Sequence, residues 1–520
     1  MSTNIIRVGD FTAVRKHFIP QGSDFVLREV VKDGKTFCFI KSEDEDKLVQ
    51  LDYPFPTNPL SGIKPYLHQK ITTDFIVKNP RCLIANSQGT GKSLASLHAV
   101  DYLISKGEIN NCLYVGPKSI LLDPIGRELE THFNHLRWGV ALGSKSARLN
   151  TIKRDPQILA INWDGLTALL DSGNMPAFDM IIYDEASALK NSQASRYKKF
   201  FKYVNQHCKS TTRLVLMSGT PAAESPLDAF PLIKLINSAG LQEKGIPSLT
   251  KFREALMYKP YQQGFRWLPK PGAEEVIYKL LTPAIRFTLE DAVDLPPLTF
   301  IYRECELTKE QSTLIKLLKK DLKAELDGGE ISAVNAAVLR GKFLQILCGA
   351  VLSTGGEAKY VDNTDRYNTL LEIIEETDGP VVVFSTYKAP QELLFKNLSA
   401  LYPGRVAMIS GDLKRVEERT AIFKEFEAGR IKVLLAHPKT VSHGSDFTRG
   451  NVIVYYSGMD SVELYLQGID RIRRLSSVAK GHKKFLIYHL WATGLEQDMF
   501  RALKEKPLSQ EKFFKKLRSE

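Results

Sequence analysis

The sequence predicts an α/β protein: two parallel-sheet lobes, a mainly helical region between them, and a small β-rich module at the N-terminus. Three observations predict it. Short, wholly apolar runs alternate with amphipathic stretches in two separate parts of the chain, as strands buried on both faces and joined by helices do. Between those parts, helical signals predominate. The first 55 residues follow neither pattern and end in a proline-rich link. The expected divisions are 1–55, 56–240, 241–365 and 366–520. A chain of 520 residues fits about three units at roughly 100–200 residues each.

In the N-terminal module, Asp24–Val31 and Thr36–Ile40 are β-prone runs flanking Lys32-Asp33-Gly34-Lys35. An Asp-Gly pair between two such runs predicts a hairpin. The acidic run Glu43–Asp46 follows, then Tyr53-Pro54-Phe55-Pro56-Thr57-Asn58-Pro59, where prolines interrupt any ladder. Arg28, Lys32 and Lys35 are candidates to touch phosphates, with Phe25 and Phe37 packing inward. The module reads either as a wedge for branched DNA or as a β cap on the first lobe.

In the first lobe, strands are expected at Cys112–Val115, Gln157–Ile161, Met180–Tyr183 and Arg213–Met217. An apolar strand also runs into Asn86-Ser87-Gln88-Gly89-Thr90-Gly91-Lys92-Ser93, and a helix-like run starts at Leu94. Backbone N–H groups of such a loop, with the helix N-terminus, bind phosphate oxygens. Lys92 supplies a point charge to the phosphates, and Ser93 a hydroxyl to Mg2+. The strict pattern G-x-x-x-x-G-K-[ST] puts glycine where this chain has Asn86. Asp184-Glu185 follows the Met180–Tyr183 strand, so two carboxylates stand at a strand's C-terminal end. That suits Asp184 to hold Mg2+ and Glu185 to activate the attacking water. Ser218-Gly219-Thr220-Pro221 closes the next strand, as a simple turn or as part of the site.

In the helical stretch, Thr308-Lys309-Glu310-Gln311 reads as a capping box, with Gly328-Gly329 as the helix end. Strands resume at Val381–Phe384, Arg405–Ile409, Lys432–Leu435, Val452–Tyr456 and Lys484–Tyr488. Near the C-terminus stands Gln467-Gly468-Ile469-Asp470-Arg471-Ile472-Arg473-Arg474. A helix there puts Gln467, Arg471 and Arg474 on one face, either as an ordinary basic face or as arginines for a γ-phosphate. Lys512–Arg518 interleaves basic and aromatic residues, as a phosphate contact or a solvated helix end.

Composition narrows the class. Hydrophobic content of 43% with 25% charged residues excludes a disordered chain or a collagen. No run of about 18 apolar residues predicts a membrane span, and Met1–Asp10 has no signal-peptide core. Cys82 and Cys112, among the six cysteines, are the nearest pair at 30 positions apart, so no zinc ribbon or dithiol site is encoded. A net charge of +12 favours a polyanionic partner.

Taken in order, these motifs resemble superfamily 2 helicases of the Swi2/Snf2-like branch over about residues 60–500. Lys64–Gln69 resembles the motif whose glutamine reads adenine, and Ala85–Ser93 resembles motif I, where this branch is normally acidic at position 86. Val115–Ser119 and Asn162–Asp164 resemble motifs Ia and Ib. Asp184-Glu185-Ala186-Ser187-Ala188-Leu189-Lys190-Asn191 is similar to the D-E-A-H-x-x-K-N block, with Ser187 for histidine. Ser218–Pro221, Phe384–Tyr387 and Gln467–Arg474 resemble motifs III, IV and VI. Ala436–Asp446 resembles motif V in the His-Pro…His-Gly form of phage members.

The resemblance implies two RecA-like lobes that use ATP and Mg2+. Gln69, Gln88, Gly89, Thr90, Gly91, Lys92 and Ser93 would form the nucleotide site. Lys92, Asp184, Glu185, Gln467, Arg471 and Arg474 would serve hydrolysis. Lys118, Ser119, Lys439 and Thr440 would touch nucleic acid. The expectation is a monomeric, cytoplasmic DNA translocase of a bacterial or phage-infected cell, acting on branched or forked DNA in replication, recombination or repair. An RNA helicase and an ATP-gated DNA clamp are the alternatives.

Overall fold

The computed structural model describes residues 5–8, 11–19, 23–32, 35–56, 64–221, 225–259, 267–292, 295–327, 333–352, 357–411, 416–440, 447–474, 477 and 480–503. The expected turn at Asp33-Gly34, the helix end at Gly328-Gly329, the second half of motif V (Val441–Asp446) and the Lys512–Arg518 stretch lie outside them. The chain divides into two compact units, the first running to Asp294 and the second over Leu295–Lys506.

The first unit opens with four antiparallel strands, β1 (Ile5–Val8), β2 (Phe11–Arg15), β3 (Arg28–Lys32) and β4 (Lys35–Lys41), in the order β1-β2-β4-β3. The expected hairpin is β3–β4, closing at Lys32↔Lys35. It is half of a larger sheet, because β1 and β2 also pair antiparallel, with Val8 opposite Phe11. One face of this sheet is not a surface at all. Val14 and Ile40 join Ile71, Ile76 and Leu97 in a single core, and Phe18 stacks on Phe287 with ring centroids 5.1 Å apart. The acidic run is engaged by the protein's own side chains. Asp46 pairs with Lys70 and Asp44 with Lys47, while Glu45 accepts the Thr12 hydroxyl.

Next come helix α1 (Leu67–Lys78), strand β5 (Arg81–Ile84), helix α2 (Lys92–Ser105), and strands β6 (Cys112–Gly116), β7 (Trp138–Ala141), β8 (Ile158–Asn162), β9 (Met180–Tyr183) and β10 (Arg213–Met217). A two-residue pair, β11 (Met257–Tyr258) and β12 (Leu268–Pro269), precedes β13 (Ala284–Ile285). The main sheet is wholly parallel, in the order β13-β5-β10-β9-β6-β8-β7. Its central strands are buried on both faces, which is why they read as unbroken apolar runs. Edge strand β7, Trp138-Gly139-Val140-Ala141, is largely half-buried.

The second unit holds β14 (Leu298–Glu304), β15 (Ala350–Leu352), β16 (Ala358–Tyr360), β17 (Val381–Phe384), β18 (Val406–Ile409), β19 (Val433–Ala436), β20 (Val452–Tyr455) and β21 (Phe485–Trp491). Its sheet is parallel, in the order β14-β21-β20-β17-β19-β18. The capping box is present: the Thr308 N–H donates to Gln311 Oε1 at 3.1 Å and the Gln311 N–H to Thr308 Oγ1 at 3.2 Å, opening the helix Lys309–Asp327. The stretch 241–365 is mainly helical, yet it is shared by the two units rather than standing between them. Its first part adds β13 to one sheet and its second adds β14 to the other. Among the described residues, no helix is long and apolar enough to cross a membrane.

Candidate active site

The glycine loop lies between β5 and α2, where a parallel sheet of this kind presents its ligand crevice. Gly91 has φ +78°, and a Cβ there would stand 2.1 Å from Gln69 Nε2. Only glycine satisfies both the left-handed backbone and that approach. Gln69 itself is engaged by the protein. Its Oε1 accepts the Tyr66 N–H at 2.9 Å and its Nε2 donates to the Thr90 carbonyl at 3.2 Å. His68 Nε2 meets the same carbonyl at 2.7 Å. Two neighbouring side chains of α1 therefore hold the loop.

Asn86 explains the departure from the strict glycine pattern. It is buried, donates from Nδ2 to Thr72 Oγ1 at 3.0 Å, and accepts the Phe287 N–H on Oδ1 at 2.8 Å. A glycine would leave both partners short of a bond inside the core, a loss of about 1–3 kcal/mol each. Lys92 curls back into the loop, with Nζ 2.9 Å from the Asn86 carbonyl and 3.2 Å from that of Ser87. The ammonium is thus held by carbonyls of the loop itself.

Across the crevice stand the two carboxylates. Asp184 is buried; its Oδ2 accepts the Tyr114 hydroxyl at 2.6 Å and its Oδ1 the Glu185 N–H at 2.8 Å. Burial pushes its carboxyl pKa up, while the Tyr114 bond, the Lys92 charge, the Glu185 N–H and Ser93 oppose that rise. Ser93 and Asp184 offer hydroxyl and carboxylate oxygens, the donor class that a hard divalent cation takes. Glu185 sits at φ +50°, ψ 56°, a strained conformation for a residue with a side chain, of the kind that clusters at active sites. Gln88 Nε2 donates to Glu185 Oε1 at 3.2 Å, which links the loop to the carboxylate turn. Gly219 lies beside the loop, its Cβ direction 3.6 Å from the Asn86 carbonyl. Thus Gln69, Gln88–Ser93, Asp184, Glu185 and Ser218–Thr220 converge in the first unit.

The second unit corrects one expectation. The helix expected across Gln467–Arg474 stops at Ile469, and Arg471 and Arg474 lie in the turns that follow. The Phe447 N–H donates to the Arg471 carbonyl at 3.0 Å. Both arginines fold onto their own backbone: Arg471 Nε donates to the Gln467 carbonyl and Arg474 Nε to that of Asp470, each at 3.2 Å. Gly468 sits so close to Phe384 Cε2 and Tyr455 Oη that a Cβ would meet each at 2.9 Å.

Of the four nucleic-acid candidates, Lys118 and Ser119 are exposed just past β6 and Lys439 is exposed past β19. The Thr440 hydroxyl donates to the His437 carbonyl at 2.7 Å. Sequence reasoning missed Tyr114, a β-strand residue with no motif of its own. It also missed Arg286, which donates to the Ala85 carbonyl at 2.8 Å and the Gly219 carbonyl at 3.1 Å. Arg286 lies some two hundred residues from the loop it braces, and no local spacing signals that.

The chain matches the SNF2-related domain over residues 39–347 and the helicase conserved C-terminal domain over residues 365–476. Protein p41 of Acyrthosiphon pisum secondary endosymbiont phage 1 is 25% identical over 435 residues, 82% of this chain and 92% of that protein. The DNA repair and recombination protein RAD54-like of Gallus gallus is 25% identical over 193 residues, 34% of this chain and only 25% of that protein. In fold, the chain is similar to S. cerevisiae Dbp5 bound to RNA and ADP BeF3, with a TM-score of 0.51 and 15% identity over 86% of this chain and 88% of that one. Two parallel-sheet units with helices, the first carrying a phosphate-type loop, accord with those matches, and the chain belongs to the SNF2-related family of helicase-class ATPase domains.

Proposed function

We propose that this protein is an ATP- and Mg2+-dependent DNA translocase or helicase acting on branched or forked DNA. The observation that carries the reading is the convergence of Lys92, Ser93, Asp184 and Glu185 on one glycine loop. Lys92 supplies charge to the transferring phosphoryl group, and Glu185 orients and deprotonates the attacking water. Mg2+, held by Ser93 and Asp184, neutralises phosphate charge when bound. Arg471 and Arg474 exchange their backbone carbonyls for phosphate oxygens in the hydrolytic step.

DNA is favoured over RNA by the named role of the RAD54-like relative, while the +12 net charge suits a nucleic acid of either kind. The likeness to RNA-bound Dbp5 is one of fold alone. Lys118, Ser119, Lys439 and Thr440 are the proposed backbone contacts. A role for the N-terminal sheet at a branch is favoured by its outer side, where Arg28 stacks on Phe39 at 4.4 Å and Phe11 and Lys41 are exposed.

Steady-state ATPase with single-stranded, duplex, forked and four-way DNA, and with RNA, at matched salt tests the whole reading. Stimulation strongest with forked or four-way DNA is expected. Equal or greater stimulation by RNA would sink the DNA assignment, and no turnover with any of them would leave the clamp.

A further inference from the structure

Tyr114 has no part in the roles given above, yet it stands at the centre of the site. It is fully buried on β6, opposite Ile182 of β9 in the strand register. Side chains two residues apart on a strand share a face, so Asp184 follows Ile182 on that same face. A long side chain at position 114 therefore reaches diagonally to the carboxylate, and the tyrosine hydroxyl arrives 2.6 Å from Asp184 Oδ2. An aliphatic residue would fill the core there equally well, but it would leave Oδ2 without that donor.

The rest of the arrangement points the same way. The other carboxylate oxygen, Oδ1, accepts the Glu185 N–H, and Trp163 Nε1 donates to the Asp184 backbone carbonyl at 3.3 Å. The Ser93 hydroxyl interacts with both Tyr114 and Asp184. Asp184 is thus fixed at its backbone and at both carboxylate oxygens, and one of those fixings is the phenol.

We propose that Tyr114 is a positioning residue that holds the Asp184 carboxylate for divalent-cation binding, and so sets how much Mg2+ adds to nucleotide affinity. The proposal rests on the ATP and Mg2+ reading. Groups that orient a metal ligand from behind commonly change metal affinity by about 10–100-fold when removed. Tyr114 acts through a single bond, and the lower end of that range applies.

The test is an equilibrium titration of the full chain with fluorescent ADP, in Mg2+ and in EDTA, for wild type and Tyr114→Phe. The variant should keep its affinity in EDTA and lose roughly tenfold of the Mg2+-dependent gain. In an Asp184→Asn background, Tyr114→Phe should change that gain no further, because the carboxylate it holds is gone. An unchanged Mg2+ gain, an equal loss in both buffers, or a variant that no longer folds would each overturn the proposal, the last two in favour of a core role. If wild type itself bound no nucleotide in either buffer, the ATP reading would fail instead.

Discussion

The two units bury polar groups in opposite ways. In the first, buried polar side chains converge on a glycine loop and the carboxylate near it: Gln69 and His68 bond the loop carbonyl of Thr90, Tyr114 bonds Asp184, and the loop's own Asn86 is tied to Thr72 and Phe287. In the second, a prominent buried polar feature is an ion pair between residues outside the named motifs. Arg366 and Glu496 are both nearly unexposed and bond through both arms, at 2.9 and 2.5 Å. Arg366 also donates to the Tyr456 carbonyl at 2.6 Å, and Glu496 Oε2 accepts the Ala492 N–H at 2.9 Å. Meanwhile the second unit's candidate catalytic arginines each bond a backbone carbonyl four residues earlier in the chain. The first unit is therefore organised for its ligand in advance. The second fixes its fold with a buried charge pair, and its two motif arginines bond backbone carbonyls of their own segment.

The contrast is broken most decisively at Lys92. Lys92→Ala should lower ATP turnover by about 10³-fold, the upper range for losing one preorganised charge at a transition state, with the unfolding midpoint held. Wild-type turnover in the purified variant would remove the phosphate-loop assignment. The next effect is on stability. Glu496→Gln leaves Arg366 buried without its counter-charge, which costs about 3–5 kcal/mol. Denaturant unfolding followed with probes placed in each unit should show the second unit melting early and the first unchanged. Equal shifts in both would mean that the units do not unfold separately.

Smaller again are Arg471→Ala and Arg474→Ala, each expected to lower turnover by about 10² while fluorescent-ATP affinity changes little. Parallel losses of binding and turnover would mark them as structural.

The smallest effect is a pH dependence confined to the first unit. His98 is buried against Tyr53 and Phe133, and burial, with the neighbouring His132, pushes its pKa down to about 3. Below the ordinary imidazole value of about 6.5, the unfolded chain takes up a proton that the folded one refuses. Stability of that unit should therefore fall as pH drops from there toward 3, by about 1.4 kcal/mol per pH unit. Unfolding midpoints at pH 7.5 and 5.5, compared with His98→Asn, measure it. An identical slope in the variant would assign the dependence elsewhere.

Some elements were legible because the code for them is local. The strands Met180–Tyr183, Arg213–Met217 and Val381–Phe384 have the limits that their apolar runs predict. The Thr308 capping box closes within four residues. Edge strand β14 mixes Thr299, Arg303 and Glu304 with apolar residues and so lacks the continuous apolar pattern that marked the others, while β7 is a short apolar run containing Gly139.

By itself, then, the sequence determined the alternation that makes two parallel sheets, the glycine loop with Lys92 and Ser93, and the carboxylates that end a buried strand. Each is set by residues a few positions apart, through periodicity, backbone freedom or capping. Only the tertiary structure decided that Asn86 is a latch shared by Thr72 and Phe287, that Tyr114 reaches Asp184, and that Arg286 ties two loops together. It also decided that the N-terminal sheet shares the first unit's core, and that the Gln467 helix stops before its arginines. Those outcomes depend on which strands lie side by side and in what register. Hydrogen bonds between residues 14 to 201 positions apart leave no trace in local spacing.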